Sequence, residues 1–147
     1  MEMAYATIPV IPCSKNLIYM PEKMYSPWEQ YDFTFDLPEN DYTLSLDLVD
    51  VETNRNPSPY RMTVSYEDGD ATMIEPILWA DFKEVGTDTA YGSIPTPKNA
   101  RVYQVLHGKI VGLHLQFTDV RSGHIEKVML ERGNIPTEWE QAEEPTQ

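Results

Sequence analysis

Between residues 31 and 130 the chain alternates apolar and polar side chains again and again, and a period of two belongs to extended backbone. Tyr31, Phe33, Phe35 and Leu37 alternate with Asp32, Thr34 and Asp36. Successive side chains of a strand point to opposite faces, so this stretch reads as a strand with one face on a core and the other in water. Leu44, Leu46 and Leu48 alternate with Ser45 and Asp47, and Met62, Val64 and Tyr66 alternate with Thr63 and Ser65. Later, Val111, Leu113, Leu115 and Phe117 are expected on one strand face, with His114 on the other. Ile125, Val128 and Leu130 anchor the last strand, and the odd step from Ile125 to Val128 points to a bulge.

Turn chemistry separates these segments. Pro38-Glu39-Asn40-Asp41 reads as a turn, residues 54–59 (Asn-Arg-Asn-Pro-Ser-Pro) as a long loop, and Asp68-Gly69 as the centre of a hairpin. Pro76 lies inside the apolar stretch from Met73 to Phe82, which places that stretch at a sheet edge or a bulge. No segment carries a helical period. About eight strands at spacings of roughly 8–15 residues predict an all-β antiparallel fold, a sandwich or a barrel. Twelve prolines and sixteen aromatics (nine Tyr, four Phe, three Trp) agree with many strands and many turns. At 147 residues the chain has the length of one domain.

Charge narrows the partners. A formal net charge of −13 repels a phosphate backbone and anionic lipid, so neither nucleic acid nor a membrane is an expected partner. The single cysteine, Cys13, forbids an intrachain disulfide and carries no cue for a nucleophile. No secretory leader and no apolar run of spanning length is read, so synthesis in a cytosol is expected. His107, His114 and His124 fit no zinc spacing, and neither a phosphate-cradling glycine loop nor a Gly-x-Ser-x-Gly elbow occurs. No cofactor is expected. Asp68-Gly69-Asp70 admits two readings, a plain hairpin turn or a contribution of hard oxygen ligands to a structural Ca²⁺. Carboxylates are abundant, so chance pairs abound, and a glycosidase pair needs a defined separation across a sugar-sized cleft.

Two regions carry the binding candidates. Residues 1–14 are apolar, β-branched and interrupted by Pro9 and Pro12. They read either as a first edge strand or as an extended arm, with Tyr5, Ile8, Val10 and Ile11 as its docking side chains. Tyr25, Trp28, Asn54, Arg55, Asn56, Tyr60, Trp79 and Tyr91 lie in or beside proline-rich loops. Aromatic rings there can cap the core, stack on the apolar face of a sugar, or form a subunit interface, where Tyr, Trp and Arg are enriched.

The C-terminal region adds a signature. Leu130, Glu131, Gly133, Thr137 and Trp139 are spaced as Leu-Glu-x-Gly-x-x-x-Thr-x-Trp. Physically this is a strand end, a glycine turn, and an indole able to swing back as a buried plug. The pattern resembles the ending of accessory proteins from tails, baseplates and fibres of bacteriophages, whose domain looks like a carbohydrate-binding module of jelly-roll type. Asn16-Leu17-Ile18 and Pro97-Lys98-Asn99-Ala100 resemble its opening and its entry to a late strand. The chain is thus expected to divide into an arm over 1–15, a β-sandwich of about eight strands over 16–140, which the resemblance implies is a jelly roll, and an acidic tail over 141–147. The resemblance also implies a non-enzymatic virion subunit of tail, baseplate, fibre or capsid surface. Its expected partners are its own copies, with a trimer favoured, other virion proteins, and bacterial surface glycan. A free carbohydrate-binding module and a glycan-cleaving enzyme are the alternatives.

Overall fold

The computed structural model describes residues 15–19, 30–53, 60–91, 97–117 and 120–142. Among these residues there are eight strands: β1 (Gln30–Thr34), β2 (Asn40–Thr53), β3 (Tyr60–Asp68), β4 (Ala71–Pro76), β5 (Lys83–Glu84), β6 (Ala100–Gly108), β7 (Ile110–Phe117) and β8 (Val120–Arg132). Among the same residues, one 3₁₀ turn, at Trp79–Asp81, leads into β5. The strands form two four-stranded sheets in the orders β1-β7-β3-β4 and β5-β6-β2-β8. Every pairing is antiparallel. The protein is an all-β sandwich, as the alternation predicts.

The apolar faces meet between the sheets. Leu44, Leu46 and Leu48 of β2 pack with Met62 and Val64 of β3, Leu113 and Leu115 of β7, and Ile125 and Leu130 of β8, all buried. Each such side chain contributes about 1.5–3 kcal/mol on burial. Tyr31, Phe33 and Phe35 pack against this core from the edge and remain half-buried. β4 is the opposite edge of the same sheet and is exposed along its whole length, which accommodates Pro76.

Bulges set the phase of the long strands. Opposite Ser45 and Asp47 of β2 stand Met129 and Glu126, so β8 takes three steps where β2 takes two. Lys127 absorbs the extra residue with φ of 53°. That bulge answers the odd step in the sequence, because it lets Ile125, Val128 and Leu130 all be buried. A second bulge compensates on the partner: Val49 and Glu52 face His124 and Ser122, with Asp50 at φ of 51°. Asn99 fixes that turn of backbone, accepting from the Asp50 N–H at 3.0 Å and donating to its carboxylate at 3.1 Å.

Several details differ from expectation: the first strand ends at Thr34 and does not run on to Leu37, and β2 already begins at Asn40, inside the turn expected over 38–41. Between Ser65 and Tyr66 the partner β7 moves from Gly112 to Ile110, so Val111 is an extra residue. Ile110 therefore takes the core position and Val111 stays half-buried. In the β3–β4 hairpin Asp68 pairs with Ala71, which makes Gly69-Asp70 the two-residue loop, one step later than expected. Gly69 at its first position has φ of 62°, the arrangement of a type II′ turn.

Gly123 faces the β2 bulge with φ of 81°, and a Cβ there would lie 2.2 Å from the Asp50 carbonyl oxygen. Gly123→Ala should therefore lower stability by about 2–4 kcal/mol, from backbone strain and overpacking together. Urea unfolding checks this, and Gly69→Ala, which meets no neighbour within 4 Å, is the milder control.

Candidate functional site

The C-terminal signature folds back over the outer face of sheet β5-β6-β2-β8. At Gly133 the chain turns with φ of 96°. The Gly133 N–H donates to the Asp41 carbonyl at 2.8 Å, and its own carbonyl accepts from the Thr43 hydroxyl at 2.8 Å. Glu131, buried on β8, accepts from the Thr137 hydroxyl at 2.6 Å and from the Thr137 N–H at 3.1 Å. The Glu and Thr of the signature are thus two halves of one latch. Asn16 holds the other side of the same strand. Its amide donates to the Glu140 carbonyl at 2.9 Å, and its carbonyl oxygen accepts from the Leu130 N–H at 3.2 Å. Beside it, the Leu17 N–H donates to the Leu130 carbonyl at 2.7 Å. Packing continues through Ala142, which is buried.

Under this segment lies a cleft of 570 Å³ lined by Asp47, Val85, Arg101, Lys127, Pro136, Thr137, Glu138 and Trp139. Cross-strand pairing puts Asp47 of β2 beside Arg101 of β6. The guanidinium donates to the Asp47 carboxylate at 2.8 Å, to the Ser45 hydroxyl at 2.9 Å and to the Lys127 carbonyl at 2.9 Å. The last acceptor is supplied by the bulge, which aims the Lys127 carbonyl at β6. Two donors remain. Arg101 Nε and Trp139 Nε1 are shut off from solvent and have no acceptor among the described residues. Trp139 is half-buried, a lid over the cleft rather than the fully buried plug expected. Through Val85 and Pro136 the cleft adjoins a second depression of 400 Å³ that includes Thr87, Tyr103 and Ile135.

The other polar clusters are carboxylate–imidazole pairs. His107 lies 2.6 Å from Asp41, His114 lies 2.6 Å from Asp32, and His124 lies 2.7 Å from Glu126. His114 and Asp32 are direct partners across β1 and β7 and sit opposite the core face, as the alternation predicts. The hydrogen bond with His107 holds the Asp41 carboxyl below its ordinary value, with Asn134 adding in the same direction.

Of the loop candidates, Tyr25, Trp28, Asn54, Arg55 and Asn56 lie outside the described residues, as do Cys13 and the arm residues Tyr5, Ile8, Val10 and Ile11. Tyr60 opens β3 opposite Phe117, and Trp79 opens the 3₁₀ turn. Tyr91 packs its ring against the core and donates its hydroxyl to Glu84 at 3.3 Å. Asp68 and Asp70 flank the hairpin glycine, and among the described residues no three carboxylate, imidazole or thiol groups converge as a metal site. No helix among the described residues is long and apolar enough to cross a membrane. Arg101, Asp47 and Lys127 escape the sequence reading because nothing in the chain reveals that β6 and the β8 bulge flank β2. Thr137 and Trp139 are marked, by the signature.

No known family, curated protein or solved structure matches this chain.

Two predictions concern this region. Glu131→Ala removes the acceptor for both Thr137 donors and should cost about 2–3 kcal/mol in denaturant unfolding. Tyr91 is pushed up to about 12 by burial first and by the Glu84 carboxylate second. Its folded value is raised above the ordinary tyrosine value near 10. Its contribution to stability is therefore complete below about pH 10 and is lost as pH rises toward 12. Tyr91→Phe should flatten the alkaline limb of the stability–pH curve relative to the parent protein.

Proposed function

We propose that the chain is a non-enzymatic structural subunit of a bacteriophage particle, built as a jelly roll and adhesive toward glycan. One observation carries the reading. Glu131, Gly133 and Thr137 of the signature are spent on closing the sandwich, through the Glu131–Thr137 latch and the Gly133 turn. That use is what a signature of a building block requires, and it leaves those residues no reaction to perform.

Connectivity supports the jelly-roll part. If the 15–19 segment bonded along β8 is counted as a strand, one layer reads segment-β8-β2-β6, with the two-residue β5 outside β6, and the other β1-β7-β3-β4. Consecutive strands then alternate between layers near the start and the end of the chain, as two interleaved Greek keys do. Asn16 and Leu17 are pinned at the β8 edge, and the arm reading itself rests on the sequence of residues 1–14. Their apolar, proline-interrupted sequence suits docking on a neighbouring subunit in a homo-oligomer, a trimer by resemblance. A net charge of −13 keeps such a subunit soluble before assembly.

Deleting residues 1–14 should leave the unfolding midpoint of the domain nearly unchanged and remove the subunit from purified particles. Normal occupancy of the particle by the truncated chain would refute the arm, and absence of the full chain from particles would refute the virion reading itself.

A further inference from the structure

We infer that the cleft between Trp139 and Arg101 is a binding site for a neutral saccharide ring. The inference rests on the adhesive half of the proposed function and places it away from the proline-rich loops. Buried polar groups in folded proteins are nearly always paired, and a buried donor without an acceptor costs about 1–3 kcal/mol. Here two such donors, Arg101 Nε and Trp139 Nε1, belong to one cleft and come from two different elements, β6 and the C-terminal segment. An orphaned donor pair at one place in an otherwise well-paired sheet face marks a place where an acceptor arrives from outside.

The class of ligand follows from what surrounds those donors. The charge of Arg101 is already answered by Asp47 at 2.8 Å, with both side chains about four-fifths buried (20% and 22% exposed). A second anion would compete with Asp47 and meet Glu138 at the same rim. Lys127 is shared with Glu126 at 3.9 Å. The site thus offers N–H donors, carboxylate acceptors and apolar surface from Val85, Pro136 and the indole, with its charges balanced. A polyhydroxylated ring uses all three at once: hydroxyl oxygens accept, hydroxyl protons donate, and the C–H face lies against the indole. The volume of 570 Å³ holds a sugar of one or two residues. Both N–H groups are shut off from the cleft in this structure, so binding requires the half-buried Trp139 to tilt outward between the ties at Thr137 and at the Glu140 carbonyl.

The test is a titration of the full-length chain with maltotriose, with triacetylchitotriose and with galacturonic acid, followed by the indole and arginine Nε–H resonances. Saturable shifts of the Trp139 and Arg101 signals with at least one neutral oligosaccharide are expected. Trp139→Phe, which keeps a ring and removes the donor, should weaken that binding about tenfold while the backbone spectrum stays folded. Arg101→Lys is the second variant, and its loss of folding would leave the Trp139→Phe result decisive. Three outcomes overturn the proposal: no shift with any neutral sugar, a shift with galacturonic acid only, or neutral-sugar binding that Trp139→Phe leaves unchanged. Each is read on the isolated chain, so none of them bears on whether the subunit is found on particles.

Discussion

Strand β2 is buried on both faces, and the rest of the molecule is arranged to permit it. Its inward Leu44, Leu46 and Leu48 form the middle of the core, while its outward Thr43 and Ser45 are also fully buried. A strand buried on both sides usually carries apolar residues throughout. β2 carries hydroxyls on its outer face instead, and each must find a partner there. Thr43 donates to the Gly133 carbonyl, and Ser45 accepts from Arg101. The C-terminal segment and the Arg101 side chain are therefore the polar half of the packing, and the sandwich has three layers where β2 runs.

The paired bulges make this possible. A sheet edge thirteen residues long, as β8 is, would be a flat template for pairing with other chains. The bulges at Lys127 and Asp50 bend and twist it, and the second restores the register that the first displaces. Asn16 and Leu17 then occupy the β8 edge near Leu130. The same Lys127 bulge hands its carbonyl to Arg101, so one irregularity serves both edge protection and the cleft.

Much of this was legible in the sequence wherever a side chain's neighbours lie close along the chain. The alternation at 31–37, 44–48 and 62–66 located three strands and the faces they bury, and the step from Ile125 to Val128 located a bulge. What escaped were features that depend on pairing across long separations. Val111 reads as a core residue until its partner strand is known, because only the register against Ser65 and Tyr66 shows that it is the extra residue. Arg101 goes unmarked until β6 and the β8 bulge are placed on either side of β2. The candidate site was half visible for the same reason. Trp139 stood out by its signature, whereas the cation, the carboxylate and the carbonyl that surround it come from three strands.

Trp139 itself shows why the site and the closure of the fold share residues. A fully sealed indole would have its N–H paired inside the protein, and the latch at Glu131–Thr137 would then be one more element of a closed core. Instead the ring is held at mid-depth with its N–H unpaired, two residues beyond a strong hydrogen-bonded latch. The latch fixes where the indole is, and the missing acceptor leaves open what it faces. The division is one of rigidity from the carboxylate–threonine pair and unsatisfied polarity concentrated at the adjacent lid.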